Sequence, residues 1–252
     1  MRWIEALAYS SVWVALAAGA LCAAAAEAMA GKAHGMASAL AICGTLVIYN
    51  LDRLRDLERD HTTAPLRSAF VSRHRSLLIG LTSLAALASA VLGALLGSRA
   101  IAALLPVLLL GLLHRRLKSL SYAKPFYIAL AWVVVTVMLP AVLLDVPGRA
   151  SWVAGIFGLT ILANVIACNL RDGEAASAAL GAGVPLRLAR LTASAGLLTA
   201  FLAPDFVRPL ALVPLLTLGA LLPFDPGERY GHLVVDGALL VGATAALGVY
   251  AA

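Results

Sequence analysis

Three aspartates four residues apart, Asp52, Asp56 and Asp60, stand in the run Tyr49-Asn50-Leu51-Asp52-Arg53-Leu54-Arg55-Asp56-Leu57-Glu58-Arg59-Asp60. On a continuous helix each four-residue step turns about 40° and rises about 6 Å, so the three carboxylates share one face. Like charges this close repel unless something positive lies between them. A hard divalent cation is one such partner: Mg²⁺ binds few carboxylates, keeps waters and takes its remaining ligands from substrate phosphates. Arg55, three residues after Asp52, and Arg59, three after Asp56, offer another partner. They would make plain intrahelical ion pairs on a solvated face.

A second acidic group, Asn169-Leu170-Arg171-Asp172-Gly173-Glu174, follows a later apolar run. Two such clusters at one end of a bundle, with Arg and Lys around them, suit a polyphosphate held through Mg²⁺. The bland alternative is a helix cap at Asn169 or Asp172. Between the two lies a cationic stretch, His114 to Pro125, in which Lys118, Tyr122 and Lys124 are placed to close over a diphosphate. Asp236 sits about a turn inside the last apolar run and reads first as a structural hydrogen-bond acceptor. The five histidines, 34, 61, 74, 114 and 232, have no paired metal spacing and read as surface or interface residues. No P-loop, GxSxG, GxGxxG or kinase signature is present.

The elements that must carry these residues are set by composition. Of 252 residues, 62% are hydrophobic and 13% charged. A soluble domain carries roughly 25% charge, and a globule of this size cannot hide so much apolar surface from water. Disorder requires the opposite composition. The chain therefore reads as an all-α polytopic membrane protein forming a single domain over residues 1–252. Nine apolar runs are long enough to propose as spans: 3–26, 36–51, 77–97, 100–114, 126–144, 151–168, 187–203, 208–223 and 232–251.

The connecting loops alternate in character. Those at 52–76, 115–125, 169–186 and 224–231 are polar and basic; those near 27–35, 98–99, 145–150 and 204–207 are short and nearly neutral. Of the 19 Lys and Arg residues, 15 fall in the basic set, at the N-terminus or at its span ends, leaving only Lys32, Arg99, Arg149 and Arg208. The positive-inside rule then puts the N-terminus and basic loops in the cytoplasm, in a multi-pass protein of a bacterial inner membrane. This use accounts for the net charge of +6 without a nucleic-acid partner. The stretch from Ile4 to Ala26 exceeds a signal-peptide core. Cys22, Cys43 and Cys168 read as small hydrophobes. Ala15, Gly19 and Ala23 give the small-residue spacing of closely packed helices.

With both acidic groups in place, the chain resembles the UbiA superfamily of intramembrane prenyltransferases. Asp52-Arg53-Leu54-Arg55-Asp56, followed by Pro65-Leu66-Arg67, is similar to the latter half of that family's first Asp-rich motif. Asn169-Leu170-Arg171-Asp172 is similar to the start of the second, and Tyr122-Ala123-Lys124-Pro125 to the start of its fifth span. Ile48 and Tyr49 stand where the first motif begins Asn-Asp, and Ala176 stands at an acidic position of the second, with Glu174 nearby. The resemblance implies nine transmembrane helices around a cavity open to the cytoplasm. It implies Mg²⁺ on Asp52, Asp56, Asp172 and Glu174, with Asp56 and Asp172 catalytic. An isoprenyl diphosphate would be held by Arg67, Lys118, Tyr122, Lys124, Asn169 and Arg171. Its apolar tail would lie against Phe126 and Trp132. A prenyl group would then pass to a lipid-soluble or aromatic acceptor in the bilayer. The acids missing from both motifs leave two alternatives, a non-catalytic homologue that binds a lipid or partner and an intramembrane terpene cyclase. A transporter is disfavoured because the polar clusters sit at one face.

Overall fold

In the computed structural model, which describes residues 3–117, 122–173 and 179–252, the chain is all-α, with no strand among the described residues. Among these residues thirteen α-helices follow in order: α1 Trp3–Tyr9, α2 Val12–Ala30, α3 Gly35–Arg55, α4 Leu57–Thr63, α5 Pro65–Arg73, α6 Arg75–Leu117, α7 Lys124–Val133, α8 Leu139–Leu143, α9 Ala150–Arg171, α10 Gly183–Leu202, α11 Leu212–Leu221, α12 Glu228–Tyr230 and α13 Asp236–Ala251. A π-helical turn, Val134–Met138, joins α7 to α8, and a second, Gly231–Val235, joins α12 to α13. Six helical segments among the described residues are long and apolar enough to cross a membrane: Val12–Ala30, Gly35–Arg55, Arg75–Gly111, Lys124–Leu143, Pro147–Arg171 and Glu228–Ala251.

The central element is α2. Its alanines and one leucine, Ala15, Ala17, Ala18, Leu21, Ala24, Ala25 and Ala26, are fully buried. It packs against α3, α13 and the first π turn. Small side chains permit this, since dispersion contacts between helices grow as backbones approach. At Gly19 a β-carbon would collide with the Ile42 side chain of α3. At Gly242 on α13 it would lie 2.8 Å from the Val213 Cα of α11.

Two breaks shape the bundle. Gly97 adopts φ 78°, ψ −170° inside α6, a conformation natural to glycine. Residues of both arms, Ser89 to Ala94 and Ala100 to Leu108, line one cavity, so α6 folds back on itself at Gly97. The second break corrects the expected single helix over 3–26. Ser11 has φ 65° and divides α1 from α2, its hydroxyl donating to Asn50 Oδ1 at 2.6 Å.

Contacts among the described residues gather at two ends of the bundle. At one end Arg99 pairs with Asp145, Arg149 donates to the Met29 carbonyl, and Tyr250 Oη donates to the Phe206 carbonyl. At the other, Arg229 pairs with Glu5, Arg67 with Asp60, and Arg171 with Asp236. This second end is the mouth of the candidate site.

Candidate functional site

The expected aspartate face does not form as a single stripe. Helix α3 ends at Arg55, and Asp56 leaves helical geometry at φ −95°, ψ 12° before α4 begins. Asp52 is exposed and Asp56 half-buried. Asp60 is turned to Arg67, whose Nη2 donates to Asp60 Oδ2 at 2.8 Å. It is Arg53, between the acids, that is buried, donating to the carbonyls of Ala8 and Tyr9 at 3.1 and 2.7 Å.

Arg67 begins the central cluster. It lies in the first turn of α5, where Pro65 opens the helix. Glu228 caps that N-terminus from across the bundle, accepting from the Leu66 and Arg67 amides at 3.0 and 2.6 Å. A carboxylate here satisfies orphan N–H groups and complements the helix dipole. The Arg67 Nη1 group faces His232 Nε2 at 3.4 Å. The His232 Nδ1 atom lies 3.3 Å from both Arg171 Nη1 and Asp236 Oδ2, so the ring is held between two arginines and a carboxylate. His232 is therefore a buried member of the cluster, not the surface or interface residue its sequence context suggests.

Arg171 closes the cluster from α9. Its Nε and Nη2 donate to the two carboxylate oxygens of Asp172 at 2.8 and 3.1 Å, and Nη1 lies 3.8 Å from Asp236 Oδ2. It passes directly over Gly231, where any β-carbon would meet its Cδ. The π turn beginning at Gly231 offers the Val235 carbonyl to Asn164 Nδ2 at 3.0 Å. Asp236 Oδ1 also accepts from Cys168 Sγ at 3.4 Å. Asp236 thus has the acceptor role its position implied. Burial alone would raise the Asp172 pKa, but the Arg171 charge and hydrogen bonds, with Arg67 behind them, hold it below the ordinary carboxylate range.

The two acidic stretches therefore do meet, with Asp60 at one side and Asp172 at the other, but arginine and histidine stand between them. Among the described residues no three His, Cys, Asp or Glu side chains gather as a metal set. The donor set at the mouth is guanidinium, imidazole and amide, with Asp60 and Asp172 each engaged by an arginine. As arranged, the described residues do not fit a resident pair of Mg²⁺ ions. Lys118 and Glu174 lie outside the described residues. Asn169 is buried, and Lys124 half-buried. Tyr122 and Phe126 are each 63% exposed, and neither lines a described cavity.

Trp132 is buried, its Nε1 donating to Tyr49 Oη at 3.2 Å across an edge-to-face ring contact. The turns of chain after it, at Val135 and Leu139, line a cavity of about 440 Å³. Leu40, Gly44, Thr45 and Ile48 of α3 form another wall, and the two arms of α6 complete it. Ser89, one of its few hydroxyls, is spent on the Ala85 carbonyl. Ile48 and Leu108, 52% and 58% exposed, open the cavity to the outside of the bundle. Ile48 is one helical turn from Asp52, so the α3 wall of the cavity ends near that exposed carboxylate.

Sequence reasoning passed over His232, Arg53, Asn164 and Glu228. One local signal existed: His232 and Asp236 are four apart, the spacing of a helical pair. The chain matches no family model, no curated protein and no solved structure.

Proposed function

We propose that this protein is an intramembrane prenyltransferase of the UbiA kind, moving a prenyl group from an isoprenyl diphosphate to a lipid-soluble or aromatic acceptor. The observation that carries this reading is the meeting of residues 60–67 with residues 171–172 and 232–236 at one end of a bundle that also holds an apolar cavity. A charged headgroup and an apolar tail need both sites.

Nine spans belong to the same proposal. Counting α6 as two crossings, and adding α10 and the 205–221 segment to the apolar helices, gives that number. Arg187 and Arg190 make α10 less apolar than its neighbours. The basic mouth then faces the cytoplasm of a bacterial inner membrane.

In this reading Arg67 and Arg171 stabilise the charge that gathers on the diphosphate as its C–O bond breaks. The bond electrons leave with the diphosphate. The allylic cation forms in the apolar cavity, away from water, and the acceptor's electron pair closes the new bond while its proton passes to solvent. Magnesium enters only as the counter-ion the diphosphate substrate brings with it.

The test is incubation of the purified protein with radiolabelled geranylgeranyl diphosphate and Mg²⁺, with and without a membrane-lipid extract. Labelled lipid product and released pyrophosphate, both lost in Arg171→Gln and Arg67→Gln, are expected. A cyclised hydrocarbon without acceptor makes the protein a terpene cyclase. The engagement of Asp60 and Asp172 by arginines favours a second reading, a non-catalytic lipid-diphosphate binder; binding without turnover at any chain length establishes it.

A further inference from the structure

The mouth is rich in donors and poor in free acceptors. Arg53, Arg67 and Arg171 are buried together, and the carboxylates nearest them are occupied. Among the described residues Arg53 donates to the neutral carbonyls of Ala8 and Tyr9, and five further buried polar groups at this end have no hydrogen-bond partner: Tyr9 Oη, Trp13 Nε1, Asn50 Nδ2, Arg67 Nε and Ser68 Oγ. Asn50 binds Ser11 at the head of α2, Trp13 lies against Gly237 beside Asp236, and Arg67 and Ser68 share the first turn of α5. A buried donor without an acceptor keeps its full desolvation penalty, so native structures tolerate few of them without reason. A set drawn from four helices around buried guanidinium groups calls for an occupant that brings several oxygens and negative charge. Planar guanidinium forks match phosphate oxygens in pairs.

We propose that this mouth binds a phosphoanion directly, through Arg67, Arg171, Arg53 and the orphaned donors, with no resident divalent cation. The natural ligand, an isoprenyl diphosphate, rests on the prenyltransferase reading; the metal-free grip does not.

The experiment is calorimetric titration of sodium pyrophosphate into the full-length protein in nanodiscs, in EDTA and again in Mg²⁺. Binding in EDTA, with a matching rise in melting temperature of the unmutated protein, is expected. Ser68→Ala separates a ligand role from a structural one. Deleting an orphaned donor relieves a penalty, so the free protein should melt no lower, while pyrophosphate affinity falls about tenfold, the worth of a hydrogen bond to a charged group. Arg67→Gln should weaken binding further, and Arg99→Gln, at the opposite end, should not change it. No binding in EDTA, whether or not Mg²⁺ restores it, overturns the proposal. Unchanged affinity in Ser68→Ala and Arg67→Gln overturns it as well. A parallel arm uses geranylgeranyl diphosphate. Transfer in Mg²⁺ without pyrophosphate binding in EDTA leaves the prenyltransferase reading standing and removes the metal-free grip. Pyrophosphate binding in EDTA with no tighter binding of the lipid diphosphate and no turnover does the reverse.

Discussion

The Arg171 guanidinium crosses the backbone of Gly231 with no room for a side chain between them. Gly231→Ala must therefore push Arg171 off its path and break its paired hydrogen bonds to Asp172. Overpacking of this kind costs about 1–3 kcal/mol. The melting temperature of the purified protein should fall by several degrees, and turnover should fall with it. A variant as stable as the unmutated chain would contradict the packing described.

Glu228 caps α5 from the far end of the sequence. Glu228→Ala removes both acceptors from the Leu66 and Arg67 amides, and loss of an N-terminal cap costs typically about 1 kcal/mol. Hydrogen exchange should quicken at those two amides, with the rest of α5 following. Unchanged protection there would show that the cap is idle.

Asp172 is held below the ordinary carboxylate range by Arg171 and Arg67, against the opposing pull of burial. The unfolded chain has an aspartate pKa of about 3.9. Its ion pair therefore contributes stability above that value, lost as pH falls through the lower, folded value. Melting temperature should decline below about pH 4, more gently in Asp172→Asn. Identical slopes in the two proteins would remove Asp172 from the balance.

Gly44 and Gly93 line the cavity, and a β-carbon added to either would meet nothing within 4 Å. A leucine at either site fills space rather than colliding, and in a helix interior it is favoured over glycine by somewhat under 1 kcal/mol. Gly44→Leu should hold or raise the melting temperature while lowering turnover of long-chain prenyl diphosphates more than short ones. Equal loss for all chain lengths would place the tail elsewhere.

Much of the architecture was legible because its causes are local. Apolar runs marked α2, α9 and α13, and the short break at 98–99 fell one residue past the fold-back of α6 at Gly97. The misses have distant causes. Ser11 takes a left-handed conformation beside a partner 39 residues away, so a run that reads as one helix becomes two. Asp60 serves Arg67 rather than extending the stripe from Asp52, because α3 stops at Arg55. His232 is buried by Arg67, 165 residues earlier in the chain, and nothing around Gly231 announces that contact.

The partners that complete the mouth arrive late. Glu228, His232 and Asp236 all belong to the final segment, while Arg67 and Arg171 are synthesised well before it. During synthesis Arg67 and Arg171 have only Asp60 and Asp172 beside them, and the cluster closes when residues 228–236 emerge. A chain stopped before residue 228 would hold its arginine pairs but lack the cap on α5 and the histidine that bridges them.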